Sequence, residues 1–165
     1  MRTLAVDPMT HMGWAYHTPE EKSLLIGTVD LRNRKDHEET RSMMWIRFRL
    51  FLESVRPQPE LVVTELIRNY QSSLARAIYS GQRALLEHWC ESQRIGLTCY
   101  TPEDWKRTLC GKAKAKPPVY TTAAEKLTEF TGLVEDEAAA IGLLHHATKD
   151  LKLQAPRWTE ACRKI

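Results

Sequence analysis

The stretch Leu61-Val62-Val63-Thr64-Glu65 decides how the rest of the chain is read. It is β-branched and apolar on both faces, as a strand in the middle of a sheet must be, and it ends on an acid. Upstream, Pro57 and Pro59 close a helix predicted over 44–55. Its Met44, Trp45, Phe48, Phe51, Leu52 and Val55 recur at three- and four-residue intervals, and Arg47, Arg49 and Glu53 turn away from them. Residues 32–40 are polar and mixed in charge and read as an exposed connection. Three strands come before it, at 3–6, 13–16 and 24–29. Pro8 cannot donate to a strand ladder, so the first strand stops with Asp7 at its carboxyl end. Thr18-Pro19-Glu20-Glu21 supplies turn chemistry between the second and third, which makes an antiparallel meander.

Downstream, a long helical pattern runs over 72–94 with Leu74, Ile78, Leu85 and Trp89 as its stripe, and Gly81 marks the close approach of another backbone. A strand at 96–100 follows. Thr101 then caps a short helix with Pro102 in its first turn. A basic segment covers 106–116, Pro117-Pro118 interrupts it, and helices are predicted over 121–130 and 138–147. The last is entered through Glu135-Asp136-Glu137. Strands in sequence followed by strand–helix alternation imply an α/β fold, a mixed five-stranded sheet flanked by helices. The division expected is one domain over 1–150 and a polar tail over 151–165.

The chain has 165 residues, 42% hydrophobic and 27% charged, which suits one globular domain and excludes a disordered or collagen-like chain. No apolar run approaches the ~20 residues of a membrane span. The first residues, Met1-Arg2-Thr3-Leu4-Ala5-Val6-Asp7, lack the apolar stretch of a secretory signal, so a cytoplasmic protein is expected. Cys90, Cys99, Cys110 and Cys162 match no zinc or redox spacing and read as reduced, at least partly buried thiols. His145 and His146 would diverge by about 100° on a helix, which argues against a shared metal. A net charge of +3 excludes a polycation, so any nucleic-acid binding must come from the distribution of charge.

Three acids stand at element ends: Asp7, Glu65 and Asp136. If the first and fourth strands are neighbours, Asp7 and Glu65 share one sheet edge, and a helix crossing that edge brings Asp136 to them. Carboxylates so crowded repel one another, and a hard divalent cation relieves this. Two Mg2+ ions about 4 Å apart would activate a water and stabilise the leaving oxygen of a phosphodiester. Each acid also has an ordinary reading as a turn residue, a strand end or a favourable charge in a helix's first turn. Between 106 and 116 stand Lys106, Arg107, Lys112, Lys114 and Lys116 with no acid among them. Such a row suits phosphates, although a solvated loop is the commoner use.

Leu4-Ala5-Val6-Asp7-Pro8 with Gly13-Trp14-Ala15 resembles the opening of RuvC-type Holliday junction resolvases. Val62-Val63-Thr64-Glu65 resembles their second acidic strand, and Ser73-Leu74-Ala75-Arg76-Ala77-Ile78 with Gly81-Gln82-Arg83 is similar to the long helix after it. Trp105-Lys106-Arg107-Thr108 and the lysine loop look like their basic segment, and Asp136-Glu137-Ala138-Ala139-Ala140-Ile141 like the start of their last helix. The motifs fall in family order over almost the whole chain. Two positions depart: Met9 replaces a glycine, and Ala139 replaces the family's fourth acid.

The resemblance implies an RNase H-like fold and a homodimer that resolves four-way DNA junctions by paired nicks. It implies Mg2+ (with Mn2+ as a substitute), two ions per site, held by Asp7, Glu65 and Asp136. Glu137 stands in for the fourth acid, with Glu135 as a weaker candidate. Lys106 and Lys116 become catalytic cations, while Arg68, Tyr70, Arg107, Lys112, Lys114 and Lys116 become DNA contacts. The helix from 72 becomes the dimer contact because Leu86 lies off its stripe. The departures suggest a phage or mobile-element branch. Branched double-stranded DNA is the expected partner, with no organic cofactor and no membrane. Three other readings stay open: a nuclease of this fold acting on flaps, forks or hybrids, a junction-binding protein with reduced or lost catalysis, and a scaffold whose acids and lysines are solvated surface.

Overall fold

Period-two burial along the first strand sets the architecture. Leu4 and Val6 pack on one face of a sheet while Ala5 packs on the other, and the same split separates Val62 from Leu61 and Val63. The computed structural model describes residues 1–20, 23–33, 39–40 and 42–163. Its elements are β1 (Thr3–Asp7), β2 (His11–Thr18), β3 (Ser23–Asp30), α1 (Ser42–Ser54), β4 (Leu61–Glu65), α2 (Ser73–Gln93), β5 (Gly96–Tyr100), α3 (Pro102–Cys110), α4 (Pro117–Thr128), α5 (Glu135–Asp150) and β6 (Ala161–Arg163). A 3-10 turn, Trp158–Glu160, leads into β6.

The sheet order is β5-β4-β1-β2-β3-β6. β1, β2 and β3 form the antiparallel meander, with Asp7 opposite Gly13. β4 lies parallel to β1, Val6 beside Thr64, and β5 is parallel to β4. The α/β class therefore holds, but the five-stranded expectation is corrected to six strands among the described residues. Ala161-Cys162-Arg163, inside the stretch read as a tail, adds a parallel strand to β3 at the sheet's far edge. Three residues carry too little alternation to announce a strand; the exposed edge of β3 supplies the pairing. The expected exposed connection over 32–40 and the turn over 18–21 fall partly outside the described residues.

α1 and α2 cover one face with Phe48, Leu52, Ile78, Leu86 and Trp89, and α3, α4 and α5 cover the other. Leu86 is thus core, and Leu74 on the predicted stripe of α2 is exposed, so the reason offered for a dimer contact there does not stand. Gly81 is approached by the ring of Trp45, which a methyl group there would meet at 2.6 Å, and not by another backbone. Pro117 and Pro118 open α4 instead of interrupting the chain, since a first-turn proline lacks only an N–H that the helix leaves unbonded anyway. All four cysteines are free, Cys90 buried and Cys162 exposed. The two histidines do diverge. His145 packs edge-on to Trp158, and His146 bonds Thr108 and packs edge-on to Tyr100. Among the described residues, no helix is long and apolar enough to cross a membrane.

Candidate carboxylate site at the sheet edge

Alternation places the first two acids. Asp7 has the parity of Ala5, and Glu65 that of Leu61 and Val63, so both project from the face covered by α5 at the carboxyl ends of adjacent parallel strands. α5 then delivers the third. Its segment from Ala138 to Leu144 is buried all round, and this seats the helix directly on β1 and β2. Gly13 makes that seat: a methyl group there would stand 1.9 Å from the carbonyl oxygen of Asp136. The backbone of Asp136 therefore passes over the residue that pairs with Asp7.

The charges respond to this crowding. Burial raises the carboxyl of Asp7 well above its ordinary 3.8, and Glu65, Asp136 and Glu135 raise it further while Lys106 pulls it down. Burial also raises Glu65, opposed by a hydrogen bond from Trp105 and by Lys106. The indole Nε1–H of Trp105 donates to Oε1 of Glu65 at 2.8 Å. Trp105 is 1% exposed and edge-on to Tyr120, and Lys106 Nζ lies 5.1 Å from both ring centroids. Tyr120 donates from its hydroxyl to Oε1 of Glu135 at 2.7 Å. Burial and the neighbouring carboxylates Glu135, Asp7 and Glu65 push its own ionisation upward. His11 Nδ1 lies 2.5 Å from Oδ2 of Asp136.

α2 fixes the two turns that follow the strand-end acids. Tyr79 donates from its hydroxyl to the carbonyl of Glu65 at 2.9 Å, and Gln82 Nε2 donates to the carbonyl of Met9 at 2.9 Å. Spaced three apart, the two share one helix face.

The structure thus gathers Asp7, Glu65, Asp136 and Lys106. Glu135, read as the weaker candidate, bears on Asp7. Glu137 instead faces Arg163, whose Nη2 lies 2.6 Å from Oε2. Ala139 is buried in the core. Arg68, Arg107, Lys112, Lys114 and Lys116 are exposed, with Ala115 buried between the last two lysines, and Gly111 ends α3 at φ 74°. Among the described residues, no hydrogen bond or ion pair ties Lys116 to the carboxylates. Tyr70 is folded back: its hydroxyl donates to the carbonyl of Ile67 at 3.0 Å, and its ring meets Tyr79 and Arg76. Arg68 lines a hollow of about 550 Å³ with Leu66, Asn69, Thr101 and Glu103.

His11, Tyr79, Gln82, Trp105 and Tyr120 were not singled out as site residues from the sequence. The polar pair at 79 and 82, set three apart among apolar positions of a helix, was the one local signal available.

An all-oxygen donor set carrying excess negative charge suits a hard divalent cation. Among the described residues, no three His, Cys, Asp or Glu side chains converge to hold one as they stand.

No family model and no curated protein matches the sequence. Solved structures do. RuvC of Thermus thermophilus in complex with a Holliday junction substrate superposes with a TM-score of 0.74 at 14% identity, over 94% of this chain and 99% of that one. A second Thermus thermophilus RuvC structure gives 0.71 at 16%, over 94% and 99%. The yeast mitochondrial Holliday junction resolvase Ydc2 gives 0.55 at 13%, over 92% and 80%. The chain has the fold of the RuvC-type Holliday junction resolvases.

Proposed function

We propose that the protein is a structure-selective DNA endonuclease that resolves four-way junctions by paired, divalent-cation-dependent phosphodiester hydrolysis, with its catalytic residues within 1–150 and β6 completing the sheet that carries them. The observation that supports this most directly is the placement of Asp7 and Glu65 at the carboxyl ends of adjacent parallel strands, with the backbone of Asp136 seated on Gly13 beside them and Lys106 acting on both strand-end acids. The likeness in fold to a resolvase bound to its junction adds to it.

Asp7, Glu65 and Asp136 would hold Mg2+ or Mn2+, with Glu135 as the fourth acid. When bound, such ions supply an activated water and Lewis-acid stabilisation of the leaving oxygen. The protein's own groups prepare the site. Trp105 fixes one oxygen of Glu65 and leaves the other open, and His11 does the same for Asp136. Lys106, held against two aromatic rings, would neutralise charge developing on the scissile phosphate. Arg68, Arg107, Lys112, Lys114 and Lys116 bind backbone phosphates around the edge. A two-fold homodimer would match the symmetry of the junction and cut equivalent strands.

On a labelled mobile junction the wild-type chain should make symmetric paired nicks in Mg2+. Asp7→Asn should bind the junction in Ca2+ yet leave it uncut in Mg2+, and retained cutting by that variant would overturn the reading. Preference for flaps, forks or hybrids in a matched panel would keep the fold and change the substrate. A second reading, a junction-binding protein with weak catalysis, draws on Ala139 in the core and Glu137 committed to Arg163. It requires intact binding without nicking in either Mg2+ or Mn2+.

A further inference from the structure

Three successive acids open α5, and each is tied to a different element: Glu135 to Tyr120 of α4, Asp136 to His11 of β2, Glu137 to Arg163 of β6. The third tie differs in kind. Glu137 is 2% exposed, and Arg163 closes on it as a fork, Nε donating to Oε1 at 2.8 Å and Nη2 to Oε2 at 2.6 Å. Nη2 also donates to the carbonyl of Gly132 at 2.8 Å, and the guanidinium lies 5.0 Å from the ring centroid of Phe130. Oε2 of Glu137 in turn accepts the N–H of Val134 at 3.1 Å, which is the start of the helix.

One side chain of the edge strand therefore grips the carboxylate, the loop before α5 and the aromatic beyond α4. Only a planar guanidinium offers donors for all of this at once. Without it a buried carboxylate loses its counter-charge, in a helical turn that already presents two acids to Asp7. That turn has no slack, since the backbone of Asp136 rests on Gly13.

We propose that Arg163 is a positioning residue of the carboxylate site: through Glu137 it fixes the seating of the first turn of α5, and with it where Asp136 and Glu135 stand against Asp7 and Glu65. The seating is independent of the nuclease reading; its effect on cleavage rests on that reading.

The test compares the full chain with Arg163→Ala, Arg163→Lys and the pair Arg163→Ala/Glu137→Gln. Amide exchange over 134–141 should quicken about tenfold in Arg163→Ala, and affinity for Mn2+ alone should fall about tenfold, the usual range for a lost supporting partner. Cleavage should lose kcat with KM for the junction unchanged. Arg163→Lys, which keeps the charge but not the fork, should fall between and serves if the alanine variant does not fold. The double variant, with no buried charge left to neutralise, should regain most of the protection. Wild-type exchange and Mn2+ affinity in Arg163→Ala and Arg163→Lys would overturn the proposal. Quickened exchange in a chain whose wild type neither binds Mn2+ nor cuts would overturn its catalytic half and the nuclease reading, leaving the seating alone.

Discussion

At Gly13 the absence of a side chain is the structural requirement, because the carbonyl of Asp136 occupies the space a methyl group would need. Gly13→Ala should push the start of α5 away from Asp7. A displacement near 1 Å costs about 10²-fold in rate when it falls on reacting groups. Single-turnover cleavage should show that loss while junction affinity in a gel-shift assay stays within twofold. Trp105 acts on the other strand-end acid. Trp105→Phe keeps a ring in the pocket but removes the donor that holds Glu65 down. It should cost ~1–3 kcal/mol in denaturant unfolding, as expected when a buried group loses its partner. It should also move the acid limb of the cleavage profile to higher pH. Asp7 and Glu65 were legible because each ends a strand whose last residue is marked, by Pro8 in one case and by the loss of apolar character in the other. The choice between Glu135 and Glu137 was not. Residues two apart in a helix's first turn point about 160° apart, and which one meets the sheet depends on how the helix is rotated.

That rotation is set by an element with little pattern to read. α5 is buried from Ala138 through Leu144, so it has no polar stripe to reveal its orientation. Its partner contacts span 125 residues to His11 and 26 to Arg163, beyond any local periodicity. The meander, β4 and β5 were legible from alternation and bounding turns, and α2 from the helical spacing of Ile78, Leu85 and Trp89. β6 and the prolines that begin α4 were not, since edge pairing and helix entry are decided by tertiary context. Near its C-terminus α5 carries His145, whose imidazole burial lowers from 6.5 to about 4, with Lys149 and His146 adding to the effect. Burial lowers His146 in the same direction. A base whose folded value lies below its unfolded one binds its proton more readily after unfolding. Its contribution is therefore full above pH 6.5 and is lost as pH falls toward 4. Thermal unfolding should therefore show His145→Phe losing less stability than the wild type across that window, where the raised carboxyl of Asp7 acts in the opposite sense.

Over the whole molecule, charge is sorted by location and not by amount. A chain of net charge +3 sets four carboxylates, Asp7, Glu65, Glu135 and Asp136, against one another at one sheet edge and presents Lys112, Lys114 and Lys116 exposed on the loop between α3 and α4. If those lysines contact phosphates, each alanine replacement should reduce the slope of log affinity against log salt by about 0.9, measured by titrating junction binding across salt concentrations. An unchanged slope would return the loop to plain solvated surface. The indole that grips Glu65 has one more consequence, an optical one. Trp105 is a shielded fluorophore whose N–H partner is itself a candidate ligand, so filling the pocket must alter its emission. With Trp14, Trp45, Trp89 and Trp158 changed to phenylalanine, the protein would report occupancy of its own centre in real time, with no label and no turnover.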